Sequence, residues 1–128
     1  MIYIDSSVAL AHLFRKPRRP ADLFWSQSLV SSKLLEYEVW NRVHAYRLSG
    51  SHGNEARLLL TRVFLIELDE SVLSRALEPF PIRVRTLDAL HLATIDFTSG
   101  KRESIELASY DHRMLAAARA IGISIAEL

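Results

Sequence analysis

Four carboxylates, Asp5, Glu38, Asp88 and Asp111, stand at positions from which they could share a divalent cation. Several carboxylates drawn into one crevice repel each other unless a cation neutralises them. Hard oxygen donors select Mg²⁺ or Mn²⁺ rather than Zn²⁺. Such an ion activates water and stabilises charge developing on a phosphate, so the chemistry suggested is metal-assisted phosphodiester hydrolysis. Each acid also has an ordinary structural explanation. Asp5 and Asp111 precede helical stretches, and Asp is a favoured N-cap. Asp88 falls in the first turn of a helix, where the macrodipole welcomes a negative charge. Glu38 has Arg42 four residues on, the spacing of a surface ion pair.

Glu36 competes with Glu38. A helical wheel puts the two on opposite flanks of an apolar stripe, Leu35, Val39, Val43 and Tyr46, and periodicity does not choose between them. Asp96 lies eight residues beyond Asp88. That is about 12 Å along a helix axis and off the Asp88 face, so Asp96 is set apart from the group.

The elements that must position these acids alternate in type. IYI, residues 2–4, reads as a short strand ending at Asp5, followed by a helix over SSVALAHLF with Ser6 or Ser7 also available as N-cap. KPRRP breaks that helix at Pro17 and Pro20, and ADLFWSQSL suggests a second short helix. LVSS, residues 29–32, is a strand candidate. A helix is expected from about Leu34 to Leu48, ended by Ser49-Gly50-Ser51. Residues 54–62 form another helix candidate, and VFLIEL, residues 63–68, is the clearest strand. SVLSRALE is helical and stopped by Pro79 and Pro81. TLDALHLATIDFT, residues 86–98, is helical with Gly100 beyond its end. IELASY is a strand, DHRMLAAARAIG a helix opening at Asp111 and closing at Gly122, and ISIA a final β-like run. Strands alternating with helices imply an α/β fold with a parallel sheet covered on both faces. In such a sheet the carboxyl ends of the strands line the functional crevice, which is where Asp5 and Asp111 fall.

Composition narrows the class. The chain has 128 residues, 49% of them hydrophobic, which suits one domain over residues 1–128 with a real core. No apolar run approaches the roughly 20 residues of a membrane helix, and the early Asp5 with no basic leader argues against a signal peptide. Cysteine is absent, which excludes disulfides, thiolate metal sites and cysteine nucleophiles. A reducing compartment is compatible with that, and a cytoplasmic location is expected. The net charge of +1 is not the overall signature of a nucleic-acid binder. A local cluster, Arg15, Lys16, Arg18 and Arg19, is the exception, and reads either as a solvated loop or as a phosphate-contacting patch.

Taken together, MIYIDSSVALAHLF, SSKLLEYEVWNRV, TLDALHLAT and LASYDHRMLAAARAIGISI make the chain resemble the PIN-domain ribonucleases, most closely the VapC-like toxins of bacterial VapBC toxin–antitoxin systems. DALHLAT and the SYDxRML ending, in that order and spacing, are the specific part. The resemblance implies a Rossmann-like sheet sandwiched by helices. It places the family's acids on Asp5, Glu38, Asp88 and Asp111, choosing Glu38 over Glu36 through the SxLxxxEV pattern from Ser32 to Val39. It places a supporting hydroxyl on Ser109 and a polar neighbour on Ser6. It further implies Mg²⁺ or Mn²⁺ as cofactor, structured RNA (transfer or ribosomal) as substrate, a homodimer, and a cognate VapB-like antitoxin. One departure is Asn41, where the family often has Arg; Arg42 stands next to it.

Other residues are weighed against that reading. His91, one turn after Asp88, is expected as a hydrogen-bonded structural histidine rather than a base. His12, His44, His52 and His112 lack metal-ligand spacing, and no G-x-S-x-G or phosphate-binding glycine loop is present. Arg83, Arg85 and Arg113 flank the acids. Two other classes compete. One is a non-catalytic RNA- or protein-binding module on the same fold. The other is a phosphoacceptor receiver-like domain, which wants paired acids at strand one and a late lysine; Asp5 is followed by serines, and neither Lys33 nor Lys101 falls suitably.

Overall fold

The computed structural model describes residues 1–100 and 104–128, so Lys101 lies outside the described residues. The strands are β1 (Ile2–Ile4), β2 (Leu29–Ser32), β3 (Val63–Ile66) and β4 (Glu106–Ala108). The helices are α1 (Ser6–Leu13), α2 (Leu34–Ala45), α3 (Ser49–Thr61), α4 (Glu70–Leu77), α5 (Thr86–Ser99) and α6 (His112–Ala120), with a 3-10 turn at Asp22–Ser26. The sheet order is β3-β2-β1-β4, and every neighbouring pair is parallel. The expected α/β sandwich is therefore the observed one.

Successive residues of a strand face opposite sides of the sheet, and β1 shows what that does. Ile4 enters a core with Val8, Leu13, Leu35, Val39, Val43 and Leu59, contributed by α1, α2 and α3. Tyr3 enters a separate core on the other face with Val30, Leu92, Ile95, Leu107 and Met114, built largely on α5 and α6. Leu35, Val39 and Val43 are fully buried. Each such side chain contributes roughly 1.5–3 kcal/mol by leaving water, which docks α2 on the sheet by that stripe. Tyr46, assigned to the same stripe, is instead exposed, because α2 stops at Ala45.

Helix ends explain the main differences from expectation. Ser49-Gly50-Ser51 opens α3 instead of closing α2. The turn between them is taken by Arg47 at φ 54°. Arg47 N–H donates to His44 O and Leu48 N–H to Val43 O, the paired bonds of a Schellman termination. Arg15, at φ 51°, closes α1 in the same way, with Lys16 N–H donating to Ala11 O. The helix thus ends before Pro17 is reached. Arginine is a poor signal for a left-handed position, so neither stop is visible in the sequence. Gly122, at φ 82°, ends α6 as expected. ISIA does not become a full strand: Ile125 forms an isolated parallel bridge to Leu107, which covers the β4 edge. Among the described residues no helix is long and apolar enough to cross a membrane.

The register matters most for the site. Ile4 of β1 pairs with Ala108 of β4, so the residues following the two strands, Asp5 and Ser109, emerge side by side at the carboxyl edge of the sheet.

Candidate functional site

Asp5 is the N-cap of α1, so of the three capping candidates it is Asp5 rather than Ser6 or Ser7 that serves. Its Oδ1 accepts from Ser7 N–H at 3.0 Å, Val8 N–H at 3.4 Å and the Ser7 hydroxyl at 2.5 Å. Its Oδ2 accepts from the Ser109 hydroxyl at 2.5 Å. Burial pushes the Asp5 pKa up, and the Ser109 and Ser7 hydrogen bonds oppose that. Ser109 in turn accepts from Asp111 N–H at 2.9 Å, and Ser7 accepts from Tyr110 N–H at 2.9 Å. The two hydroxyls tie the start of α1 to the chain leaving β4. The sequence offers Ser7 only as a possible cap; a hydroxyl two residues past a strand-end acid is the available signal for its second role.

Asp111 caps α6. Its Oδ1 accepts from Arg113 N–H at 2.9 Å and Met114 N–H at 3.3 Å. Its Oδ2 is left for the Arg85 guanidinium, 3.4 Å away. Asp88, in the first turn of α5, has its own Oδ2 3.5 Å from Arg85 Nε. Burial first, and then the nearby Asp111 carboxylate, push the Asp88 pKa up, while Arg85 pulls it down. The two acids are therefore close enough to repel, and one guanidinium bridges them.

Glu38 reaches the same edge from α2. Its Oε2 accepts from the Ser6 hydroxyl at 3.2 Å, and its Oε1 lies 2.5 Å from His91 Nε2. Glu36 instead pairs with Lys33 Nζ at 2.8 Å on the surface. Arg42 does not pair with Glu38 but lies over the Tyr46 ring. The bland explanation of Glu38 as half of a surface pair is not what the fold provides. Asp96 pairs with Arg75 Nε at 2.7 Å, away from the four acids.

His91 is buried, and its tautomer follows from its neighbours. The Tyr3 hydroxyl accepts from Ser32 N–H at 3.0 Å and lies 2.6 Å from His91 Nδ1. Burial pushes the Tyr3 pKa up, so the phenol keeps its proton. Tyr3 then donates to Nδ1, and Nε2–H is left to donate to Glu38. A buried chain of hydrogen bonds thus runs from the β2 backbone to the Glu38 carboxylate.

Arginines surround the acids. Arg83, Arg85 and Arg113, with Asp88, Ile82, Val84 and Ala116, line a cavity of about 460 Å³. Of the basic cluster, Arg18 stacks over Tyr110 with its guanidinium carbon 5.2 Å from the ring centroid, next to Ser109 and Asp111. Arg15 and Arg19 line a different cavity, of about 400 Å³, with His12, Trp25 and Arg62. Lys16 contributes its carbonyl to Arg19. Only Arg18 of the four is thereby placed beside the acids.

Among the described residues no three His, Asp or Glu side chains are grouped closely enough to hold a metal ion between them. Asp88 and Asp111 nevertheless turn oxygens toward one positive charge, and Asp5 and Glu38 bring further oxygen donors to the same edge of the sheet. In donor type and charge this set fits a hard divalent cation, with water completing its coordination.

A family model described as PIN domain matches residues 2–120. The chain is similar to "Ribonuclease VapC46" of Mycobacterium tuberculosis strain H37Rv, 34% identical over 97% of this chain and 95% of the relative. It is also similar to "Ribonuclease VapC47" of Mycobacterium tuberculosis strain CDC 1551, 31% identical over 95% and 93%. In fold it is similar to a chain of "Toxin-antitoxin complex from Klebsiella pneumoniae", with a TM-score of 0.66, 16% identity and 94% of each chain covered.

Proposed function

This chain belongs to the PIN domain family and is VapC-like, and on that premise we propose that it is a Mg²⁺- or Mn²⁺-dependent endoribonuclease, the toxin of a toxin–antitoxin pair. Its substrate in this reading is structured RNA, transfer or ribosomal, in the cytoplasm, and its cleavage inhibits translation and growth. The observation that carries the reading is the arrival of Asp5, Glu38, Asp88 and Asp111 at one edge of the sheet beside an arginine-lined cavity. That two relatives of nearly the same length are named ribonucleases supports it.

Mg²⁺ or Mn²⁺, held by the four acids directly or through water, supplies Lewis acidity toward a phosphate and lowers the pKa of water. The chain's own residues do the positioning. Ser7 and Ser109 fix both Asp5 oxygens, and Ser6 and His91 fix both Glu38 oxygens. Arg83 and Arg113 offset phosphate charge beside Asp88, and Arg18 with Arg15, Lys16 and Arg19 follows the RNA backbone further out. A VapB-like antitoxin and a second copy of the chain are the proposed protein partners.

Expression in a bacterial host tests the reading. The wild type arrests growth and cuts RNA with Mn²⁺ in vitro, and Asp5→Ala does neither. If both proteins are harmless and neither cuts, the reading fails. A second reading, a non-catalytic RNA- or protein-binding module, draws on the serine and arginine contacts that satisfy the acids without a metal. RNA binding with no cleavage and no Mn²⁺ uptake at millimolar concentration selects it.

A further inference from the structure

Arg85 lies between two carboxylates. Its Nε faces Asp88 Oδ2 at 3.5 Å and its Nη2 faces Asp111 Oδ2 at 3.4 Å. One edge of a guanidinium normally grips both oxygens of a single carboxylate; here that edge is divided between two carboxylates from different elements. The Asp111 oxygen involved is the one its helix cap leaves free. The positive charge thus sits where two site acids would otherwise repel.

Among the described residues, no further hydrogen bond or ion pair holds the Arg85 side chain there. Its side chain is 67% exposed, and as the residue preceding α5 it makes no side-chain capping bond. The two contacts are long for ion pairs. The cavity of about 460 Å³ that it shares with Arg83 and Arg113 gives the guanidinium space to move into without disturbing packed residues.

The geometry points to Arg85 as a resident counter-cation: it holds Asp88 and Asp111 together in the metal-free protein, competes with a divalent ion for their oxygens, and swings into the adjacent cavity when the ion binds. This rests on the reading of Asp88 and Asp111 as metal ligands. The consequence is a raised metal threshold. A ligand that must first displace an internal competitor has its apparent affinity reduced by the fraction of molecules in which the competitor is seated. Arg85 is thereby a positioning residue whose removal helps binding, the opposite of what loss of an ordinary site residue does.

The test is Mn²⁺ binding followed by electron paramagnetic resonance on the full chain, with thermal unfolding of the metal-free and Mn²⁺-saturated protein alongside. Arg85→Ala is expected to bind Mn²⁺ more tightly by a factor in the usual range for coupled sites, roughly 5- to 150-fold. It is also expected to melt lower than wild type without metal and to gain more from metal. Arg85→Lys, which keeps the charge but not the divided edge, should fall between. If wild type and Arg85→Ala bind equally, or the variant binds more weakly, the competition is overturned and the metal reading stands. If neither binds Mn²⁺, the metal reading falls and this inference with it.

Discussion

Nε2 of His91, on α5, lies 2.5 Å from Oε1 of Glu38, on α2, and the two helices sit on opposite faces of the sheet. The contact is made over the carboxyl edge, where side chains from both faces meet. His91 takes its orientation from Tyr3, which takes its own from the β2 backbone. Glu38 is therefore aimed by the sheet itself.

Breaking that chain should act on the site more than on the fold. His91→Gln keeps a polar group in place but loses the imidazole's fixed reach between Tyr3 and Glu38. Loss of a partner that orients a metal-binding side chain typically costs 10–100-fold in metal affinity or activity, and a drop of that size is expected in Mn²⁺-dependent RNA cleavage. His91→Leu also leaves the buried Tyr3 hydroxyl without an acceptor, at about 1–3 kcal/mol. Cleavage rates read beside denaturant unfolding separate the two effects. An unaltered rate in His91→Gln would show that Glu38 needs no such support.

The raised pKa of Asp5 predicts a pH dependence with a definite sign. Its folded value lies above the ordinary 3.8 because burial disfavours the charged form. The folded metal-free chain therefore binds more protons than the unfolded chain just above that pH. Asp5 then contributes stability that is fully present below pH 3.8 and lost as pH rises through the folded value. Asp88 is shifted the same way and adds to the slope. Metal uptake, which needs the charged carboxylates, should strengthen over the same rise. Unfolding free energy of wild type and Asp5→Asn measured from pH 3.5 upward checks this, and the Asn variant should show a shallower decline. Equal slopes in the two proteins would refute the assignment to Asp5.

Among the basic residues, Arg18 should matter more than Arg15 or Arg19. It alone of that cluster is seen stacked at the edge of the site, on Tyr110, while Arg19 is engaged with the Arg15 and Lys16 carbonyls. Binding of single-stranded RNA to a cleavage-dead Asp5→Ala background, titrated against salt, measures this. Loss of one phosphate contact reduces the log–log salt slope by about 0.7. That reduction is expected for Arg18→Ala, and a smaller one for Arg19→Ala. The reverse order would move the RNA path to the cavity lined by Arg15 and Arg19.

By itself the sequence determined the class of fold and the order of the chain's main elements, because those follow from local physics. Short apolar strand runs alternating with helical stripes demand a parallel sheet covered on both sides. Strand-end acids such as Asp5 and Asp111 then belong at the carboxyl edge. The candidate set was legible for the same reason, and the family pattern added Glu38. What only the tertiary structure decided lies in contacts between residues far apart along the chain. Glu36 and Glu38 flank one stripe symmetrically, and no periodicity separates them; Ser6 from α1 and His91 from α5 do. Ser7 became a partner of Asp5 and of the chain after β4 only because Ile4 pairs with Ala108. Arg47 and Arg15 closed helices at left-handed positions for which their type gives no warning. Arg85, one of three flanking arginines in the sequence, was singled out by the meeting of two acids from different elements. Local preferences depend on a few neighbours and can be read in order. A buried hydrogen bond or a shared counter-cation depends on which distant surfaces the packing of two cores brings to the same edge.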